Sequence, residues 1–175
     1  SLDFASSFFF GNRKITNQDV VYPAKAQALA KQDGTITSYV PNYVQVTDNR
    51  GTNAGWTLNV SQAGQLRSAK ATTNDELKGA AITLKNPVTV GITRNMSPIA
   101  NEVTLDPNSA SSIVMSAVVG TGAGTWITRW GNQGDLTDGE TVCDYYELTD
   151  KPKNTDVLLN IDREKFIQLI MDSLA

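Results

Sequence analysis

Eighteen Asp and Glu residues, fifteen Lys and Arg and no histidine set the chemistry open to this 175-residue chain. The missing imidazole removes the commonest general base, the commonest zinc ligand and the usual serine or cysteine triad together. The single cysteine, Cys143, cannot form an internal disulfide and lacks its usual activating base. It reads as a small residue in a strand over Thr141–Leu148. Paired carboxylates could cleave a glycosidic bond, but two acids must then face each other at a defined separation, and no local spacing singles out such a pair. A glycan-cleaving enzyme is the weakest reading, and a non-enzymatic role is expected. Asp135, Asp138 and Glu140, in a Gly-rich loop with Asn132, supply the hard oxygens that Ca²⁺ prefers. Their spacing is not that of an EF-hand, so a solvated loop with no metal is the better reading. The run Gly120-Thr121-Gly122-Ala123-Gly124 superficially resembles a phosphate loop, yet it leads into a strand and lacks the Lys-Ser/Thr ending. A close-packed turn is expected, and no cofactor.

The aromatic residues are more informative. In Trp56-Thr57-Leu58, strand alternation puts Trp56 and Leu58 on one face, while Trp126, Thr128 and Trp130 share a face of a later strand. Exposed indoles can stack on the CH faces of sugars, whereas buried ones anchor a sandwich core with the ring N–H bonded to a neighbour. Burial is the expectation for Trp56 and Leu58, because a regular apolar strand face more often packs than binds. Trp130, beside Arg129 and a Gly-Asn turn, is the candidate for an exposed, ligand-facing ring. Trp56, Leu58, Trp126 and Trp130 are thus the candidate ligand-binding or motif residues.

The elements that must position these residues are short. Segments rich in Val, Ile, Thr, Tyr, Phe and Trp recur between Gly, Asn, Asp and Ser clusters, a pattern of antiparallel sheets. It predicts strands near Leu2–Phe4, Ser7–Phe10, Tyr43–Thr47, Trp56–Ser61, Ala81–Leu84, Val88–Ile92, Ser112–Val118, Thr125–Trp130, Thr141–Leu148 and Val157–Ile161. About ten short strands imply an all-β, antiparallel β-sandwich. Two segments depart from the pattern. Ala24–Gln32 has good helix propensity but a weak apolar face, so a short helix near 24–32 and an ordered loop fit equally. In Asp162–Ala175, Phe166, Ile167, Leu169, Ile170 and Leu174 recur at three- and four-residue spacing, which predicts a helix near 163–174.

Size and charge bound the rest. The length suits one domain spanning 1–175, and 40% hydrophobic with 19% charged residues is the composition of a chain that folds. A net charge of -3 gives no electrostatic reason to bind nucleic acid. No apolar run reaches the ~18 residues of a transmembrane span, and the absence of an opening signal peptide implies, for an exported protein, the mature form.

The ordered series of motifs is recognisable. Leu2-Asp3-Phe4 with Phe8-Phe9-Phe10-Gly11-Asn12, then Val44-Gln45-Val46-Thr47-Asp48-Asn49-Arg50-Gly51 running on to Gly55-Trp56-Thr57-Leu58, resembles the WxL family of Gram-positive surface domains. Glu76-Leu77-Lys78-Gly79-Ala80 and Gly122-Ala123-Gly124-Thr125-Trp126 add to it, so the resemblance is strongest over residues 2–132. It implies a secreted module at the cell wall surface that attaches non-covalently, by binding peptidoglycan or another wall polymer. It also implies an alternative, adhesion or scaffolding through co-encoded partner surface proteins or host matrix proteins. The family's second Trp-x-Leu, expected near the C-terminus, has no counterpart: Phe166–Leu174 contains no Trp.

Overall fold

The computed structural model describes residues 1–11, 19–69, 73, 75–92, 95–136 and 153–161. Among them, in chain order, are the strands β1 (Leu2–Ala5), β2 (Val20–Lys25), β3 (Gln27–Ala30), β4 (Ile36–Val40), β5 (Tyr43–Asp48), β6 (Trp56–Val60), β7 (Ala80–Leu84), β8 (Pro87–Gly91), β9 (Ile99–Ala100), β10 (Val103–Thr104), β11 (Ser112–Ala117), β12 (Gly124–Trp130) and β13 (Lys153–Ile161). The described helical content is a single 3₁₀ turn, Gln133–Asp135.

Strict alternation builds the first sheet. β5 turns Val44, Val46 and Asp48 inward and leaves Tyr43, Gln45 and Thr47 half-buried on its other face; β12 does the same with Trp126, Thr128 and Trp130. Flanked by β1 and β8, they form an antiparallel sheet of order β1-β5-β12-β8. The second sheet, β10-β7-β13-β2, places β13 between β7 and β2, so a late segment of the chain is central to it. β6, β11 and β9 make a three-stranded sheet, and β3–β4 a separate hairpin. A bulge between Ile113 and Met115 in β11 lets consecutive residues, Val114 and Met115, both be buried.

The sheets share one core. Val44, Val46, Trp126 and Trp130 from the first sheet meet Ile82, Leu84, Val157 and Leu159 from the second, with Val114 and Met115 from the third. Leu84, Met115 and Val157 are essentially inaccessible, each contributing about 1.5–3 kcal/mol of burial. Thr128, also fully buried, satisfies its hydroxyl by donating to Met115 Sδ at 2.9 Å.

The all-β antiparallel expectation holds, with two corrections. The helix expected near 24–32 is absent: the segment is the end of β2 and the whole of β3. Ala24 and Ala26 are buried where a small side chain fits between layers, so packing overrides the helix propensity of an Ala-rich run. Pro23 is tolerated because β2 lies at a sheet edge. The strand expected over Ser7–Phe10 is not formed either. Phe8 and Phe10 face the core in alternation and Lys25 N–H donates to Phe9 O at 2.7 Å, but the segment does not form a strand. The strand expected over Thr141–Leu148, Cys143 within it, and the helix expected near 163–174 lie outside the described residues. No helix among the described residues is long and apolar enough to cross a membrane.

Candidate functional site

Alternation along β5 carries Asp48 inward after Val44 and Val46, leaving its side chain only 6% exposed. A carboxylate in that position needs a cation, and Arg50 supplies it two residues later. Arg50 Nε donates to Oδ1 at 2.8 Å and Nη2 to Oδ2 at 2.9 Å, a planar fork matched to the carboxylate, while the Arg50 backbone N–H adds a bond to Oδ1 at 3.2 Å. These bonds to Arg50 hold the Asp48 carboxyl down at about 2 from its ordinary 3.8. Arg50 Nη2 also donates to Gly55 O at 2.8 Å, so one guanidinium ties both ends of the 48–55 loop and delivers Trp56 in a fixed position.

Trp56 is half-buried, packed against the core together with Leu58. Its indole N–H donates to Gly122 O at 2.9 Å, and the Trp126 indole N–H donates to the next carbonyl, Ala123 O, at 3.0 Å. The Gly120–Gly124 run, which lacks the ending of a phosphate loop, thus seats two tryptophans through consecutive carbonyls. Gly122 has φ +74°, and a Cβ there would lie 2.3 Å from Ala117 Cβ and 2.8 Å from Trp56 Nε1, so the seat admits no side chain. The loop is held in turn by its neighbours: Gly120 N–H donates to Asn53 O at 2.8 Å and Gly122 N–H to Met96 O at 3.0 Å.

Between the end of β5, its loop and β6 runs a groove of about 540 Å³, walled by Thr47, Asn49, Arg50, Trp56, Thr57 and Leu58 among others. Hydrogen-bonding groups line it beside apolar faces, an arrangement suited to a ligand that carries both hydroxyls and CH surfaces. Proton-transfer chemistry is poorly served there, because Asp48, the carboxylate among its described lining residues, is locked to Arg50. No cluster of potential metal ligands occurs among the described residues. Asp138 and Glu140 of the acidic loop lie outside them.

The four candidate residues do not form one site. Trp56 and Leu58 wall the groove. Trp126 is 4% exposed in the core, its ring across Gly91 of the neighbouring strand, where a Cβ would come within 2.3 Å of it. Trp130 is also 4% exposed, which overturns the expectation of an exposed, ligand-facing ring. It follows Trp126 and Thr128 on the inward row of β12, and Phe8 meets it edge-on at 5.6 Å. The Gly-Asn turn after it suggested exposure, but strand parity decided the matter. In the sequence, Asp48 and Arg50 stood out only as members of the family series, and Gly122 only as part of that series and of a turn. The signal that could have found the ion pair is the parity of β5, which puts an acid on an apolar row.

Comparisons with known proteins separate into a long match and short ones. The family profile described as WxL domain surface cell wall-binding matches residues 1–167. Among curated proteins, the pyrimidine-specific ribonucleoside hydrolase RihA of Shewanella sp. (strain ANA-3) is 56% identical over 43 residues, 25% of this chain and 14% of that protein. The RihA of Klebsiella pneumoniae (strain 342) is 44% identical over 54 residues, 29% of this chain and 17% of that protein. The chain thus spans about a sixth of these relatives' length, too small a share to carry an enzymatic activity across. No solved structure matches. With nearly the whole chain matched, from the first strand past the last described one, the protein belongs to the WxL domain surface cell wall-binding family.

Proposed function

We propose that the chain is a single secreted module that attaches to the Gram-positive cell surface without covalent linkage, by binding peptidoglycan in the groove beside Trp56. The groove itself carries this reading. Trp56 and Leu58 offer apolar surface to sugar CH faces, while Thr47, Asn49, Thr57 and the half-exposed Arg50 offer partners to hydroxyl and acetamido groups. Its walls are held rigid by the Asp48–Arg50–Gly55 bonds, so little ordering entropy opposes binding. That β1 and β13 contribute to sheets sharing one core supports a single module.

Co-sedimentation with purified peptidoglycan at moderate salt tests the proposal. The folded protein should be enriched in the pellet, and Thr57→Arg, at an exposed position that a longer side chain would fill, should lose enrichment with its melting temperature unchanged. No enrichment of the wild-type chain sinks the reading.

A second reading, adhesion to a co-encoded surface protein or a host matrix protein, is favoured by one observation. Ile92 (82% exposed), Met96, Val118 and Val119 (79%) project from two loops joined by the Gly122–Met96 bond. Val119→Asp separates the two readings, since it should abolish capture of a protein partner and leave peptidoglycan co-sedimentation intact.

A further inference from the structure

A second pocket lies at the opposite end of β5, where the β3–β4 hairpin overhangs the outer face of the first sheet. Leu29 and Val40 come from the hairpin, and Tyr43, Ile127 and Val90 from three adjacent strands of the sheet. Gln133, in the 3₁₀ turn, closes one side by donating from its amide to Tyr39 O at 2.5 Å, which ties the turn to β4. The volume is about 250 Å³, below the roughly 300–1,000 Å³ of pockets that take drug-sized ligands. Such a space takes the end of a chain rather than its middle.

Among the described residues lining this apolar pocket, the charged one is Arg129. Strand parity explains its place: it stands on the outward row of β12 with Ile127, between Tyr43 of β5 and Val88 of β8 in the register. Its Nε is buried and has no hydrogen-bond partner among the described residues, and its Nη2 makes a long bond of 3.4 Å to Asn132 Oδ1. A buried guanidinium donor without an acceptor is costly, and no carboxylate is among the described residues lining the pocket. The edge of the guanidinium that a ligand can reach is the outer one, where Nη2 makes its long, exposed bond to Asn132, and a carboxylate is the planar anion suited to meet it.

We infer that this pocket binds the free carboxylate end of a short peptide bearing small apolar side chains, with Arg129 taking the carboxylate and the Leu29–Val40–Ile127–Val90 walls taking the methyl groups. Under the wall-binding reading, on which the source of the ligand rests, that peptide is the alanine-terminated stem peptide of the wall polymer. The pocket then reads the peptide part of a polymer whose glycan part occupies the groove. Tyr43 and Thr47 mark the two sites on one face of β5, four residues or about 13 Å apart.

The test uses the full chain and two soluble probes at millimolar concentration, N-acetyl-D-alanyl-D-alanine and its C-terminal amide, followed by NMR shift perturbation. The acid should bind and perturb residues around Arg129, and the amide should bind about tenfold more weakly or not at all. Arg129→Gln should lose acid binding with an unchanged melting temperature, Arg129→Lys should restore part of it, and Val90→Glu should weaken it by placing a like charge on the wall. Equal binding of acid and amide, binding of neither, or an Arg129→Gln chain that binds as wild type overturns the inference. Parallel co-sedimentation with peptidoglycan keeps the two proposals apart. A protein retained on the wall but indifferent to the dipeptide refutes only the pocket. A protein that takes the dipeptide through Arg129 but is not retained refutes only the groove.

Discussion

Trp56 and Trp130 are the same residue in two different settings. Trp130 is sealed in the core at 4% exposure, met edge-on by Phe8, with no partner for its N–H among the described residues. Trp56 sits half-buried at the groove, and its N–H is fully served by Gly122 O. The interior tryptophan is thus held by shape and the peripheral one by a directed bond. Packing at Trp130 is non-directional and large. The seat at Trp56 is directional, so it fixes where the ring lies at a surface where the apolar effect alone would leave it loose.

The largest expected effect tests the first half of that contrast. Trp130→Ala should cost roughly 3–5 kcal/mol in urea unfolding, the range for emptying a buried aromatic site. Trp56→Ala should cost visibly less, because its ring is only partly buried. A larger loss for Trp56→Ala would reverse the comparison.

Two glycine substitutions sharpen it. Gly91→Ala drives a methyl into the Trp126 ring, and Gly122→Ala drives one between Ala117 and Trp56 from a left-handed backbone. Each should cost about 1–3 kcal/mol by overpacking. They should part in function, with Gly122→Ala weakening peptidoglycan co-sedimentation at temperatures where the chain is still folded, and Gly91→Ala leaving it unchanged. Equal binding by both variants would show that the Trp56 seat has no bearing on the groove.

A smaller effect follows from Asp48. Its carboxyl is lowered to about 2 by Arg50, so its contribution is fully present above its ordinary value of 3.8 and is lost as pH falls through about 2. Thermal melts should therefore show an Asp48-dependent decline between about pH 4 and pH 2. In Asp48→Asn that component of the pH dependence should be missing, and an unaltered profile would deny the clamp its role. The smallest effect belongs to Arg67, whose bonds to Asp75 and Glu76 join exposed side chains. Arg67→Ala should leave the melting temperature unchanged within error.

How far these features were legible depended on the range of the interaction behind each. Strands with clean alternation, such as Tyr43–Thr47 and Thr125–Trp130, were visible because parity is a local property. Ala24–Ala30 was not, because nothing in an Ala-rich run announces that its small side chains will be needed between packed layers. β9 and β10, two residues each, are too short to show any period. At the groove, Trp56 and Leu58 stood out by residue type, whereas the carbonyl that seats Trp56 lies 66 residues away and left no trace beside it. The second pocket was invisible for the same reason. Arg129 was noticed only as a neighbour of Trp130, and its walls come from segments brought together by the sheet.

The buried Thr128–Met115 contact has a consequence for chemical durability. A thioether with no accessible surface, its sulfur already accepting a proton donor, has no room for a sulfoxide oxygen and is closed to peroxide while the chain stays folded. Met96, 70% exposed on its loop, has no such shelter. Of these two, an oxidising burst would therefore mark Met96 before Met115, converting that apolar loop side chain to a polar one while the sheets keep their packing.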